Sequence, residues 1–208
     1  MKRSSMNVPN ILSIIRVLLV PVFVVTLLAM REIKWWGLIV PTLVYGLTAL
    51  TDMLDGKIAR KYNLVTDFGK FIDPLADKFM VIASQITILV WALLNGQTTF
   101  ALIFIAVVLL ILLRELGVTS LRLVVAGNSG IVVAASMLGK IKTVSQMVGT
   151  VIMLLEPIFS YFPGSAFCAF MWEYHVLSYA IMAIMAFTTV FSGLDYLKAY
   201  MPYIDSNK

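Results

Sequence analysis

Long apolar runs alternate with short polar segments along almost the whole chain. Each run holds about 20 residues or more, which is the length that an α-helix needs to cross the hydrocarbon core of a bilayer. The strict alternation of apolar and polar residues that marks a half-buried strand is absent. A helix also satisfies its own backbone hydrogen bonds, as lipid requires. We therefore predict six membrane-spanning helices, at 9–30, 35–59, 71–94, 99–125, 137–161 and 175–201.

These spans take up most of the 208 residues and leave no room for a separate soluble domain. The expected fold is an all-α integral membrane bundle that forms a single domain over 1–208. Asn10 and Arg16 interrupt the start of the first run, and no small-residue cleavage site is evident near Met30. We therefore expect a retained first span and not a signal peptide, preceded by a short surface helix within 1–8.

The composition excludes an ordinary water-soluble protein. Hydrophobic residues make up 61% of the chain and charged residues 13%, whereas soluble domains have about 45–50% apolar and about 25% charged residues. Cys168 is the only cysteine and His175 the only histidine, which excludes a disulfide framework and metal sites built from several cysteines or histidines. Any bound metal must use oxygen ligands, from a total of 11 acidic residues.

Lysine and arginine lie mostly on one side of the predicted bundle. The loops of the other side carry only Arg31 and Lys34. Because cytoplasmic loops are enriched in basic residues, we predict that both termini and the segment 57–70 face the cytoplasm. The net charge of +5 then favours contact with anionic lipid headgroups. We expect no nucleic-acid partner, because the basic residues follow the spans and form no soluble basic face.

The most informative segment runs from the end of the second span to the start of the third. On the second span, five residues share one helix face because they lie three or four positions apart: Asp52, Asp55, Gly56, Ala59 and Arg60. On the third span, Asp73 and Asp77 lie four positions apart and also share a face. If the intervening loop makes the two helices antiparallel, four carboxylates converge.

Four carboxylates at a membrane boundary repel one another and are costly to bury. Two divalent cations would cancel the four charges, and hard oxygen ligands favour Mg²⁺, Mn²⁺ or Ca²⁺. A pair of metal ions held by carboxylates is typical of phosphoryl-type chemistry. The alternative interpretations are a solvated helix end and a helix-packing face made of small residues.

The pattern D-x2-D-G-x2-A-R-x8-G-x3-D-x3-D, which ends at Asp77, resembles the signature of the CDP-alcohol phosphotransferases. The resemblance implies that the hydroxyl of an alcohol displaces CMP from a CDP-linked lipid. It also implies two Mg²⁺ or Mn²⁺ ions, a base at Asp77, a homodimer and a bacterial plasma membrane with the site at its cytoplasmic face. The implied metal ligands are Asp52, Asp55, Asp73 and Asp77. The implied donor-binding residues are Asp52, Gly56, Ala59, Arg60 and Gly69.

Basic residues outside this signature are the only indication of the acceptor alcohol. Charged residues within membrane spans are rare and commonly functional. We interpret four of them as a site for a phosphate carried by the acceptor: Arg114, Arg122, Lys140 and Lys142. The alternatives are an ion pair between Arg114 and Glu115, and lysines that extend to lipid headgroups.

Several short segments are similar to one branch of that family, the phosphatidylglycerophosphate synthases. They are 9–16, the pair Arg114–Glu115, 139–143 with Gln146, and 192–196. The resemblance implies CDP-diacylglycerol as donor and sn-glycerol 3-phosphate as acceptor. Sister enzymes that use inositol phosphate, serine or phosphatidylglycerol are alternatives. Asn10 and Arg16 are expected to bind the donor's nucleotide or pyrophosphate, or else to cap the first span.

Two further protein classes use acidic residues in membranes. A prenyltransferase with aspartate pairs normally has more spans, and it would leave the glycine, alanine and arginine after Asp55 unexplained. A cation transporter would be expected to spread its acids through the membrane midplane. Here four aspartates cluster at one interface, and only Asp195 stands apart in a later span.

Overall fold

The computed structural model describes residues 8–33, 36–61, 66–129, 136–162 and 164–205. The side chains at 8–9, 52–61, 67, 70, 128–129 and 204–205 lie outside that description, as does the expected surface helix before α1. The described part consists of helices joined by short turns, with no strand. Its α-helices are α1 Val8–Ala29, α2 Trp36–Lys61, α3 Asp67–Leu94, α4 Thr98–Ser129, α5 Met137–Leu155, α6 Ala166–Glu173 and α7 Val176–Asp205, with a 3₁₀ helix at Glu156–Tyr161.

Each of the six predicted runs forms a helix, with ends that differ by a few residues from those expected. Five of these helices are long and apolar enough to cross a bilayer. In α2 the apolar stretch within the described side chains is shorter, Trp36–Thr51. The fold is therefore an all-helical membrane bundle, and the sixth span stays a prediction.

The fifth run has the predicted bounds, Met137–Tyr161, but it is not a regular α-helix throughout. The α-helix ends at Leu155, and the chain continues as a 3₁₀ helix that has a proline near its start, Pro157. The short helix α6 was not predicted, because its eight residues cannot span a bilayer. The hydroxyl of Ser165 caps α6 by accepting a hydrogen bond from the backbone N–H of Cys168, so local capping stabilises this turn of helix.

The helices pack in two groups that share a buried core. Helix α1 packs against α2 and α3, and α7 packs against α4 and α5. Contacts of α3 with α4, and of α5 with α2 and α3, join the groups. The core includes Phe23, Tyr45, Phe104 and Met185, whereas Leu113 is 73% exposed. Large apolar side chains face outward on every long helix, as expected for a surface covered by lipid.

The buried face of α1 changes from polar to apolar along the helix. Asn10, Ser13 and Arg16 are buried in its first half, followed by Val20 and Phe23 on the same face. Positions three or four apart share a helix face, so the polar residues meet the start of α3 and the apolar residues meet the core.

At one end of the bundle, hydrogen bonds and ion pairs join α1 to α3. At the same end, further bonds join α4 to α3, α5 and α7. At the opposite end the buried carboxylate of Glu156 accepts hydrogen bonds from the backbone N–H groups of Leu177 and Ser178, at 2.7 and 3.0 Å. These are the first N–H groups of α7, which lack partners within the helix. Glu156 thus fixes the start of α7, and the polar side chains concentrate at the other end.

Gly69 allows the starts of α1 and α3 to approach closely. A Cβ atom at this position would lie 2.7 Å from Oδ1 of Asn10 and 3.2 Å from Oγ1 of Thr66. Thr66 is the N-cap of α3, because its hydroxyl accepts a hydrogen bond from Gly69 N–H and also bonds to the Asn10 amide. A larger residue would therefore disturb both the cap and the α1–α3 contact.

We expect Gly69→Ala to destabilise the protein by about 1–3 kcal/mol, the usual cost of overpacking. Thermal unfolding in detergent should show this as a lower midpoint. Gly46→Ala on α2 is the matched control, because a Cβ there meets no atom within 4 Å. Equal midpoints for the two variants would contradict the close approach at Gly69.

Candidate active site

A cavity of about 730 Å³ opens at the polar end of the bundle, between α3, α4, α5 and α7. Its wall contains one carboxylate from α3 and one from α4, together with cations from three helices. The charged residues that line it are Asp77, Lys78, Arg114, Glu115, Arg122, Lys140 and Lys142. The structure thus brings the expected base and the four expected phosphate-binding residues into one cavity.

Asp73 and Asp77 lie one turn apart on α3, and α1 holds both carboxylates. Ser13 donates a hydrogen bond to Asp73. Arg16 forms an ion pair with Asp77 and has no exposed side-chain surface, whereas Asp77 is 45% exposed. Helix α1 therefore fixes one side of Asp77 while the other side faces the cavity.

The α2 half of the signature is helical up to Lys61. Its residues Asp52, Asp55, Gly56, Ala59 and Arg60 have side chains outside the described part. The predicted convergence of four carboxylates therefore stays a prediction. The residues that are described suit a hard cation, because Asp73 and Asp77 present carboxylate oxygens on one face of α3. Among the described side chains, no three acidic, histidine or cysteine residues cluster.

Asn10 and Gly69, both expected to bind the donor, lie against each other at the α1–α3 contact. Asn10 is 1% exposed and its amide donates to the Thr66 hydroxyl at 2.8 Å. Arg16 is buried against Asp77. In the structure these residues hold α1 against α3 and thereby position Asp77. This is a structural role, as in the alternative that Asn10 and Arg16 cap the first span, although here the contact is with α3.

Arg114 and Lys142 meet at a shared carboxylate. The Arg114 guanidinium donates to Oε1 of Glu115 at 2.9 Å, and Lys142 donates to the same oxygen. Arg114 also donates to the Ser192 hydroxyl and lies 5.1 Å from the ring centroid of Tyr196, a cation–π distance. Arg114 thus has the expected Glu115 partner and lines the cavity as well.

Lys142 is only 4% exposed, so it does not extend to lipid headgroups. Lys140 and Arg122 are exposed at the cavity wall. Neither forms an ion pair with another residue in the described part of the chain, so both cations are available to an anion in the cavity.

Lys78, Ser13 and Gln146 belong to this region although none was predicted as a site residue. Lys78 follows Asp77 directly, lines the cavity, and donates to the Thr119 hydroxyl at 2.5 Å. Its charge within an apolar run could have indicated a functional role. Ser13 lies midway between Asn10 and Arg16 on one helix face, so their spacing could have predicted it. Gln146 lines the cavity and is 1% exposed. The branch resemblance included Gln146 and the segment 9–16, but it implied no role for Gln146 or Ser13.

Comparisons with known proteins identify the family of this chain. The chain matches the family model described as CDP-alcohol phosphatidyltransferase over residues 6–191. A CDP-diacylglycerol–glycerol-3-phosphate 3-phosphatidyltransferase of Bacillus subtilis is 40% identical over 162 residues, which cover 72% of this chain and 77% of the relative. The protein of the same name from Rickettsia prowazekii is 34% identical over 202 residues, covering 97% and 99%. A probable phosphatidylglycerophosphate synthase of Mycobacterium tuberculosis is 34% identical over 198 residues, covering 92% and 80%. The family predicted from the aspartate signature is thereby confirmed, and the chain belongs to the CDP-alcohol phosphatidyltransferases.

Proposed function

We propose that the protein transfers the phosphatidyl group of CDP-diacylglycerol to sn-glycerol 3-phosphate, giving phosphatidylglycerophosphate and CMP. The observation that carries this proposal is the single cavity that joins Asp77 to a cationic wall. The names of relatives at 34–40% identity support the same donor and acceptor.

In this proposal the acyl chains of the donor stay in the bilayer and its headgroup reaches the cytoplasmic end of α2 and α3. Small residues at Gly56 and Ala59 leave space for the nucleotide beside the backbone, and the guanidinium of Arg60 pairs with the diphosphate. Asp52, Asn10, Arg16 and Gly69 border the same region, where Arg16 also holds Asp77 in place.

Asp77 takes the proton of the attacking glycerol hydroxyl. The hydroxyl oxygen bonds to the phosphorus that carries the diacylglycerol group. The bond from this phosphorus to the oxygen bridging to CMP breaks, and CMP leaves with that oxygen and its electron pair. Two Mg²⁺ or Mn²⁺ ions bound by Asp52, Asp55, Asp73 and Asp77 would neutralise the diphosphate and the charge on the leaving CMP.

The phosphate of the acceptor binds among Arg114, Arg122, Lys140 and Lys142. A phosphate monoester has a charge of about −1.5 to −2 near neutral pH, and charge-assisted hydrogen bonds from arginine and lysine to phosphate are stronger than neutral ones. Holding this phosphate directs the glycerol hydroxyl toward Asp77 and the donor, which raises the effective concentration of the nucleophile.

We propose six spans, in which the apolar part of α2 crosses the membrane and its charged end lies at the cytoplasmic boundary. Both termini and the active site face the cytoplasm of a bacterial cell, because the basic loops lie on that side. We also propose a homodimer, as the family resemblance implies.

The proposed reaction is tested with the protein in nanodiscs that contain CDP-diacylglycerol and Mg²⁺ or Mn²⁺. Glycerol 3-phosphate, inositol phosphate, serine and phosphatidylglycerol are supplied separately, and CMP and the lipid product are measured. We expect CMP release with glycerol 3-phosphate. CMP release with only one of the other alcohols would show that glycerol 3-phosphate is not the acceptor. Ion flux in liposomes without any CMP release would favour a transporter.

Asp77→Asn is expected to lower turnover by at least about 100-fold, the usual contribution of a general base. Donor binding should be largely retained, because the other aspartates of the signature are unchanged. Glu32→Gln, an exposed change at the opposite end, is the control. Near-normal turnover in Asp77→Asn would show that this carboxylate is not the base.

Lys140→Ala is expected to raise the KM for glycerol 3-phosphate by about 10-fold or more, as for the loss of a charged hydrogen bond worth about 1.5–3 kcal/mol. The KM for the donor should change far less, and Arg114→Ala should show the same asymmetry. Lys198→Ala, an exposed lysine on α7 outside the cavity, is the matched control. Equal increases in both KM values would argue against an acceptor-phosphate site.

A further inference from the structure

Three cationic side chains from three helices converge on the carboxylate of Glu115. Arg114 of α4 and Lys142 of α5 both donate to its Oε1, and Nζ of Lys78 on α3 lies 3.8 Å from its Oε2. The Glu115 side chain is 12% exposed. Glu115 of α4 therefore contacts a lysine on each of two adjacent helices, α3 and α5.

Two of these cations are buried and have few alternative positions. Lys142 has 5% of its side chain exposed. Arg114 has 11% exposed and also donates to the Ser192 hydroxyl. The Lys78 side chain is 40% exposed and donates to the hydroxyl of Thr119, one turn beyond Glu115 on α4. Glu115 is the common partner of all three cations.

The number of charges shows that Glu115 does more than neutralise one buried partner. Five cationic residues line the cavity, with only two carboxylates among them, and one of these, Asp77, is engaged by Arg16. A simple buried ion pair has one cation for each anion. Here the cavity wall has more cations than carboxylates, and this excess of positive charge is suited to binding an anion.

We propose that Glu115 is a positioning residue that gathers Lys142, Arg114 and Lys78 into a preformed site for the phosphate of the acceptor. Without this carboxylate the three cations repel one another, and their long side chains no longer share a partner that holds them close together. Glu115 itself does not touch the phosphate and acts through the cations. The inference rests on the proposed function, because it concerns the acceptor of that reaction.

The test is a comparison of Glu115→Gln and Glu115→Asp with the wild type. For Glu115→Gln we expect a KM for glycerol 3-phosphate raised by about 10-fold or more, the loss expected when charged contacts are misplaced. The donor KM and the kcat at saturating acceptor should stay within about 3-fold, as when only acceptor binding is weakened. Glu115→Asp keeps the charge, so its acceptor KM should be at least severalfold lower than that of Glu115→Gln. Equal KM values for the two variants, or a loss confined to kcat, would overturn the proposal.

A double-mutant cycle separates positioning from general stability. If Glu115 acts through the three cations, then Glu115→Gln raises the acceptor KM by a smaller factor in the Lys142→Met background than in the wild type, because contacting residues are coupled and only Arg114 and Lys78 remain to be misplaced. Additive effects would contradict this role. Glu173→Gln, an exposed glutamate at the end of α6, is the control for the substitution itself.

A binding measurement keeps this inference distinct from the proposed reaction. Glycerol 3-phosphate, added without donor, should raise the unfolding midpoint of the wild type and of Glu115→Asp. If Glu115→Gln does not fold, Glu115→Asp still tests the proposal, because its shorter carboxylate should weaken acceptor binding while kcat is unchanged. Wild-type protein that releases no CMP refutes the reaction. Wild-type activity combined with unchanged acceptor KM and stabilisation in the Glu115 variants refutes only the role of Glu115.

Discussion

An ionised side chain inside a bilayer requires a partner of opposite charge, and this requirement organises the whole polar end of the molecule. An isolated charge at the centre of a membrane helix costs at least about 2.5–3.5 kcal/mol on insertion scales. Arg16 is fully buried and meets this requirement through Asp77. Lys142 meets it through Glu115. Because each pair joins two helices, the same bonds that make the charges tolerable also fix the helices that carry the site.

The first helix illustrates how sequence pattern and site are linked. Its buried face begins with Asn10, Ser13 and Arg16 and continues with Val20 and Phe23. The apolar half packs into the core, and its position determines where the polar half meets α3. Substitution in the core of α1 would therefore act on Asp77 through the helix, without any contact to substrate.

Most of the helical fold was predictable, because the apolar runs are long and the membrane leaves few alternatives to a helix. The i, i+4 spacing of Asp73 and Asp77 also predicted that both lie on one face of a helix, as the structure shows, whereas the role of Asp77 as base stays a prediction. The start of α3 at Asp67 and the helix at Ala166–Glu173 were not predictable from hydropathy, because a capping hydroxyl decides each. The partnership of Lys78 with Glu115 joins residues 37 positions apart, and no local pattern encodes it.

The surplus of positive charge in the cavity also gives a physical basis for choosing among acceptors. An acceptor without net charge, such as zwitterionic serine, would displace water from Arg114, Lys140 and Lys142 without supplying net negative charge in exchange, and that desolvation is unfavourable. A phosphate monoester supplies the anion and offsets the same loss of water. Discrimination therefore comes as much from the penalty on the wrong acceptor as from contacts with the right one. In the proposed reaction, charge alone would select a phosphate but not the polyol attached to it. The uncharged residues that also line this cavity include Thr143, Gln146 and Tyr196.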